Sequence, residues 1–119
     1  MIRIKKTKII KSNKSRIIKF ANKNNLPFKK FGEIYFSEVK PRINKEWKYH
    51  QNRNQFLTII DGSVMFFFKK KKEGKVKKVL LSYPNRLNSI YIPKRNFYKF
   101  KCVSKKKSFI INIIDEIVK

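Results

Sequence analysis

The chain is short of acid. Its 119 residues include 7 Asp and Glu against 32 Lys and Arg, a net charge of +25. It is also short of histidine, cysteine, tryptophan and glycine, with one, one, one and three residues respectively. Each scarcity excludes something. His50 and Cys102 alone cannot build a zinc finger or a catalytic zinc site, which take three or four such ligands. An iron site of two histidines and a carboxylate lacks its second histidine. Neither a GxGxxG turn nor a P-loop occurs, and three glycines speak against any loop that wraps a phosphate. No nucleophile motif supports a Ser-His-Asp triad. A single cysteine allows no internal disulfide, which points to a reducing cytoplasm. No apolar run approaches the ~20 residues that cross a bilayer, so no membrane insertion is expected. The basic start "MIRIKKTKII" is not followed by the continuous apolar stretch of a secretory signal.

What is present is apolar and aromatic. Hydrophobic residues make up 41% of the chain, with 11 Phe and 5 Tyr. Runs such as "FLTIIDGSVMFFF" exclude a fully disordered polyelectrolyte. The length suits one domain. Residues 1–31 contain lysine and arginine throughout and no carboxylate. They read as a basic N-terminal extension, an edge strand or arm, ahead of a domain spanning 32–119. From Gly32 onward, "EIYFSEV", "FLTII", "SVMFFF", "VKKVLLS", "NSIYIP", "FYKFKCV" and "SFIINIID" form evenly spaced, strand-like runs separated by polar turns. That spacing predicts an all-β sandwich or barrel. Asp61-Gly62 between two apolar runs predicts a tight β-hairpin.

The charge has two readings. A surface of this sign attracts polyanions, and "YIPKRNFYKFK" interleaves aromatics with cations as single-strand binders do. That supports a basic nucleic-acid-binding protein, or nonspecific polyanion binding. Alternatively, a sequence rich in Lys, Asn and Ile reflects AT-rich codons, and the same segment is a strand with its lysines facing water.

The lone histidine lies in "EWKYHQ", beside the lone tryptophan. Strand alternation puts Trp47 and Tyr49 on one face and Lys48 and His50 on the other. A cation beside His50 disfavours its protonated form and keeps it a neutral base near pH 7. The competing reading is a surface His and Lys, with Trp47 anchoring the core.

Three segments carry a resemblance, in order and spacing. They are "GEIYFSEV", "INKEWKYHQNRNQFLTIIDGSVMFFF" and "VLLSYPNRLNSIYIPKRNFYKFKCVS", with "INIIDE" after them. They resemble the RmlC-type cupins: the dTDP-4-dehydrorhamnose 3,5-epimerase family and its sugar-ketoisomerase relatives. "WKYH" resembles the W-K-x-H variant of the family's W-H-x-H strand. The resemblance implies a single-domain cupin, a double-stranded β-helix or jelly-roll barrel, usually a homodimer. It implies a metal-independent, cofactor-free epimerase or isomerase of a dTDP-4-keto-6-deoxyhexose, working in lipopolysaccharide or other cell-surface polysaccharide biosynthesis. Carried over by position, His50 is the base, Lys48 stabilises the enolate and Tyr98 is the acid. Arg42, Trp47, Gln55 and Arg95 then bind the nucleotide sugar. The family's first motif histidine is Lys48 here, a later one is Tyr98, and the family's C-terminal acid has no clear counterpart. These departures keep open a barrel that binds a nucleotide sugar or carbohydrate without turning it over.

Overall fold

The computed structural model describes residues 1–118. It contains β-strands and, among the described residues, no helix; none therefore is long and apolar enough to cross a membrane. In chain order the strands are β1 Arg3–Lys6, β2 Lys8–Lys11, β3 Arg16–Lys19, β4 Glu33–Val39, β5 Lys48–Tyr49, β6 Gln55–Asp61, β7 Ser63–Lys69, β8 Lys77–Ser82, β9 Asn88–Ile92, β10 Phe97–Cys102 and β11 Ser108–Ile114. A five-stranded sheet runs β1-β9-β6-β11-β4, and a four-stranded sheet runs β5-β10-β7-β8. Strands β2 and β3 form a separate two-stranded ladder. All strand pairs are antiparallel.

Period-2 patterning sets which side chains lie between the sheets. On β7, Val64, Phe66 and Phe68 are buried, while Met65 and Phe67 between them are partly exposed. Leu57 and Ile59 of β6, Ile90 and Ile92 of β9 and Ile110 of β11 meet them from the other sheet. The Phe66 and Phe68 rings lie parallel at 6.2 Å. Burying each such ring stabilises the fold by about 1.5–3 kcal/mol.

The expected hairpin at Asp61-Gly62 does not form. β6 pairs with β9 and β11, whereas β7 pairs with β10 and β8, so the chain crosses from one sheet to the other at this point. Gly62 has a φ of +82° and is the only residue between the two strands, too few for a two-residue hairpin loop. A Cβ there would meet the Ser108 side chain, whose hydroxyl accepts from the Ser63 N–H at 3.0 Å. Asp-Gly correctly marks a positive-φ corner; tertiary pairing decides that the corner joins sheets rather than neighbours.

Residues 1–31 are built onto the barrel. β1 is an edge strand, with Arg3 opposite Tyr91 and Lys6 opposite Asn88. The Thr7 and Ser89 hydroxyls are 2.8 Å apart in a buried setting. Phe20 stacks on Phe56 at 4.9 Å, covering the outer face of β6. In "RIIKFANKNNL", strand β3 is followed by an asparagine turn, in which Asn22 Oδ1 accepts the N–H groups of Asn24 and Asn25. Lys119, the last residue of the expected 32–119 domain, lies outside the described residues.

Candidate active site

β5 has only two residues, yet it sets the site. Lys48 lies opposite Tyr98 of β10, and Tyr49 lies opposite Phe97. Directly opposed residues point to the same side of a sheet. Lys48 and Tyr98 therefore face the barrel interior, while the Tyr49 and Phe97 rings meet outside at 4.6 Å. Facing Tyr98 from the other sheet are Gln55 at the start of β6, Asn112 of β11 and Tyr35 of β4, which lies opposite Asn112. Together with Ser37, Leu57, Phe100 and Ile110 these residues enclose a cavity of about 120 Å³.

A continuous polar chain runs along this wall. His50 Nε2 lies 2.9 Å from the Tyr98 hydroxyl, which is 3.4 Å from Gln55 Oε1. Asn112 Nδ2 donates to Gln55 Oε1 and to the Tyr35 hydroxyl, both at 2.9 Å. On the other side, Arg53 Nη1 donates to His50 Nε2 at 3.2 Å, and Arg53 Nε donates to Glu116 Oε1 at 2.9 Å. A guanidinium has no acceptor, so Nε2 must carry a lone pair and the imidazole proton sits on Nδ1. His50 thus presents a base at the atom that faces Tyr98.

The electrostatics agree. The His50 pKa is held below the ordinary 6.5 by burial first, then by Arg53 and Lys48, with Glu116 opposing. Burial pushes the Tyr98 hydroxyl up to about 12, against the effect of its hydrogen bond to Gln55, so it is a protonated phenol across the neutral range. Lys48 is also lowered, by burial and then by Lys45 and Arg53, and its Nζ stands 5.7 Å from the Phe100 ring centroid. Tyr98 lines the cavity and His50 stands behind it, one hydrogen bond away.

Loops hold this arrangement in place. The Asn54 N–H and Nδ2 donate to the two oxygens of Asp115 at 2.9 and 2.7 Å, and Asn54 Oδ1 accepts from the Lys94 N–H at 2.9 Å. Arg95, in the left-handed region at φ 66°, donates its N–H to the His50 carbonyl at 2.8 Å.

Of the residues singled out in the sequence, the structure brings together Lys48, His50, Gln55 and Tyr98. Arg95 supports His50 through its backbone, with its side chain exposed. Two do not join. Trp47 lies on the outer face, where Lys69 Nζ is 4.2 Å and Lys99 Nζ 4.8 Å from its ring centroid. Alternation with Lys48 requires that placement, which removes Trp47 both from the cavity and from the core. Arg42 is exposed, and its N–H is tied to the Cys102 carbonyl, the end of β10 away from Tyr98. Tyr98 and Cys102 are four steps apart along the strand, about 13 Å. Sequence reading missed Tyr35, Arg53, Asn112 and Glu116. Asn112 left a signal, a single amide within the apolar run "FIINII"; the others gave none.

Among the described residues, no three His, Cys, Asp or Glu side chains converge as metal ligands. A wider recess of about 550 Å³ lies along Met1, Ile2, Phe68, Asn96 and lysines 69, 70, 75 and 77, with no histidine, carboxylate or tyrosine in its lining.

Two facing antiparallel sheets enclosing a polar cavity define a cupin-type barrel of the RmlC kind. Within that class, the chain belongs to the family described as FdtA: WxcM-like, C-terminal, whose sequence model matches residues 1–116. No curated protein sequence matches significantly. A dTDP sugar isomerase from Desulfovibrio desulfuricans shares the fold with a TM-score of 0.89 and 24% identity, over 99% of this chain and 78% of that one. The 3,4-ketoisomerase QdtA from Thermoanaerobacterium thermosaccharolyticum, in complex with TDP-4-keto-6-deoxyglucose, gives 0.82 and 18%, over 99% and 82%. The Mycobacterium tuberculosis rmlC epimerase gives 0.84 and 12%, over 99% and 64%.

Proposed function

We propose that the chain is a nucleotide-sugar isomerase that moves protons beside the ketone of a TDP-linked 4-keto-6-deoxyhexose. The observation that carries this reading is the hydrogen bond between the neutral His50 Nε2 and the Tyr98 hydroxyl at the cavity wall. A ketone acidifies the proton on the neighbouring carbon. As that proton passes to the Tyr98 oxygen, the phenol's own proton passes to His50 Nε2, leaving an enolate and an imidazolium. The Lys48 ammonium stabilises charge that develops only on the enolate oxygen. Burial and the two neighbouring cations make the imidazolium short-lived, so His50 returns the proton through Tyr98. Inversion of the same carbon requires a second donor, on the opposite face of the ring. Return to the former carbonyl carbon, with the hydroxyl proton moving to the former ketone oxygen, transposes the ketone. Neither outcome gains or loses an electron, so the reaction needs no redox cofactor.

The family match and the fold shared with an isomerase, a ketoisomerase and an epimerase support the substrate class. The free, buried thiol of Cys102 supports action in the cytoplasm, where nucleotide sugars for surface polysaccharides are made. The apolar pair Ile10 and Ile17 on the outer side of the β2–β3 ladder supports a homodimer.

The test is solvent deuterium incorporation into TDP-4-keto-6-deoxyglucose, followed by NMR. Incorporation beside the ketone that His50→Asn abolishes is the expected result. Absence of exchange by pure, folded protein, with a related ketoisomerase active in parallel, would sink catalysis. Tight binding without exchange would select the second reading, a nucleotide-sugar binder, which the replacement of the family's first motif histidine by Lys48 favours.

A further inference from the structure

Asn112 Oδ1 is, among the described residues, the one buried side-chain oxygen or nitrogen without a hydrogen-bond partner. The side chain is 4% exposed and forms part of the cavity wall. A buried carbonyl oxygen left unpaired is costly, and native interiors carry few of them. Turning the Asn112 amide alone does not relieve it, as long as Gln55 keeps Oε1 toward Asn112, the orientation in which Oε1 accepts from both Tyr98 and Asn112. Its Nδ2 already serves both Gln55 Oε1 and the Tyr35 hydroxyl at 2.9 Å. A flip would set Oδ1 against Gln55 Oε1, acceptor against acceptor. The orphan is therefore imposed by its neighbours.

The surrounding groups define what it awaits. Asn112 Oδ1 takes only a donor. The Tyr35 hydroxyl accepts from Asn112 and keeps its own proton to give. An acceptor and a donor on neighbouring residues complement a ring that carries a hydroxyl beside another oxygen. We propose that Asn112 Oδ1 accepts a hydrogen bond from a sugar-ring hydroxyl, making Asn112 the residue that selects hydroxylated over deoxygenated sugars. This rests on the nucleotide-sugar reading above. A site that buries an acceptor for a hydroxyl rejects the analogue lacking it, because the acceptor then stays unpaired.

Calorimetric binding of TDP, TDP-6-deoxyglucose and its 2-deoxy and 3-deoxy analogues tests this without turnover, since none carries a ketone. Wild-type protein is expected to bind one of the two deoxy analogues at least roughly ten-fold more weakly than the parent sugar. Asn112→Ala is expected to keep TDP affinity and lose that discrimination. If wild type binds all three sugars within about two-fold, Oδ1 is served by water and the inference fails while the substrate class stands. That wild-type series decides the matter even if Asn112→Ala does not fold. Binding of none of the four ligands by wild type overturns the substrate class and this inference together.

Discussion

His50 Nε2 and the Tyr98 hydroxyl meet at 2.9 Å from positions 48 residues apart, one just past the two-residue strand β5 and the other within β10. Tyr98 is 4% exposed, so its ring is held by the core while its oxygen reaches the cavity. Tyr98→Phe should keep the packing and remove only the oxygen. The expected result is a fall in exchange of about 10²–10⁴-fold, the usual share of a positioned acid–base group. Stability should drop by only about 1 kcal/mol. Exchange rates by NMR beside a thermal melt separate the two effects; unchanged exchange would remove Tyr98 from the proton path.

The lowered His50 pKa carries a pH signature with a definite sign. The unfolded chain protonates its histidine near the ordinary value of 6.5, while the folded chain resists until lower pH. Below 6.5 the unfolded state therefore binds more protons, and stability should fall as pH drops from 6.5 toward the folded value. Above 6.5 this contribution is constant. His50→Gln should flatten that acid limb in denaturant titrations. The acid limb of exchange activity should likewise lie below 6.5; a limb above it would show that His50 is not held neutral as described.

Lys48 stands where the resembled motif has a histidine, and it brings a cation to a cavity with one imidazole nearby. The protein as purified should hold no stoichiometric transition metal by elemental analysis, and chelators should leave exchange unchanged. Lys48→Met keeps an apolar stem while removing the charge. It should melt near wild type yet lose turnover or affinity for the anionic sugar nucleotide. About one iron or zinc per chain would contradict this account of β5.

Gly32 controls the site from a distance. Its N–H donates to the Ile114 carbonyl at 2.8 Å, and a Cβ there would collide with the backbone of Glu116. Backbone cannot give way as a side-chain end can, so Gly32→Ala must displace the segment bearing Glu116. The Arg53–Glu116 pair should loosen, and exchange should fall together with melting temperature. A variant with wild-type melting and exchange would show that this close approach is unimportant.

Phe20 tests whether residues 1–31 matter to the barrel. Phe20→Ala removes the ring stacked on Phe56 and should cost about 1–3 kcal/mol, part lost burial and part lost aromatic pairing. Urea unfolding measures it. A change near zero would mean that the basic segment merely lies on the sheet.

The strands were legible from sequence because their signal is local. "EIYFSEV" and "SVMFFF" read as strands, and strand period puts Lys48 on the opposite face from Trp47; in "SVMFFF" every residue from Val64 is apolar, so only the packing of the two sheets turns Phe66 and Phe68 inward. The chemistry open to one histidine, one cysteine and three glycines was bounded in the same way. Which strands pair is not local. Asp61-Gly62 suits a hairpin and a sheet-crossing corner equally, and only the competition of β9, β11, β10 and β8 for the flanking strands decides between them. The site depends on that decision. Arg53, Tyr35, Asn112 and Glu116 acquire meaning only when antiparallel pairing brings β4 and β11 to Gln55 and folds the Arg53 loop back onto His50. Lys48 and Tyr98 show both sources at once: strand period gives each its face, and the pairing of β5 with β10 sets them side by side.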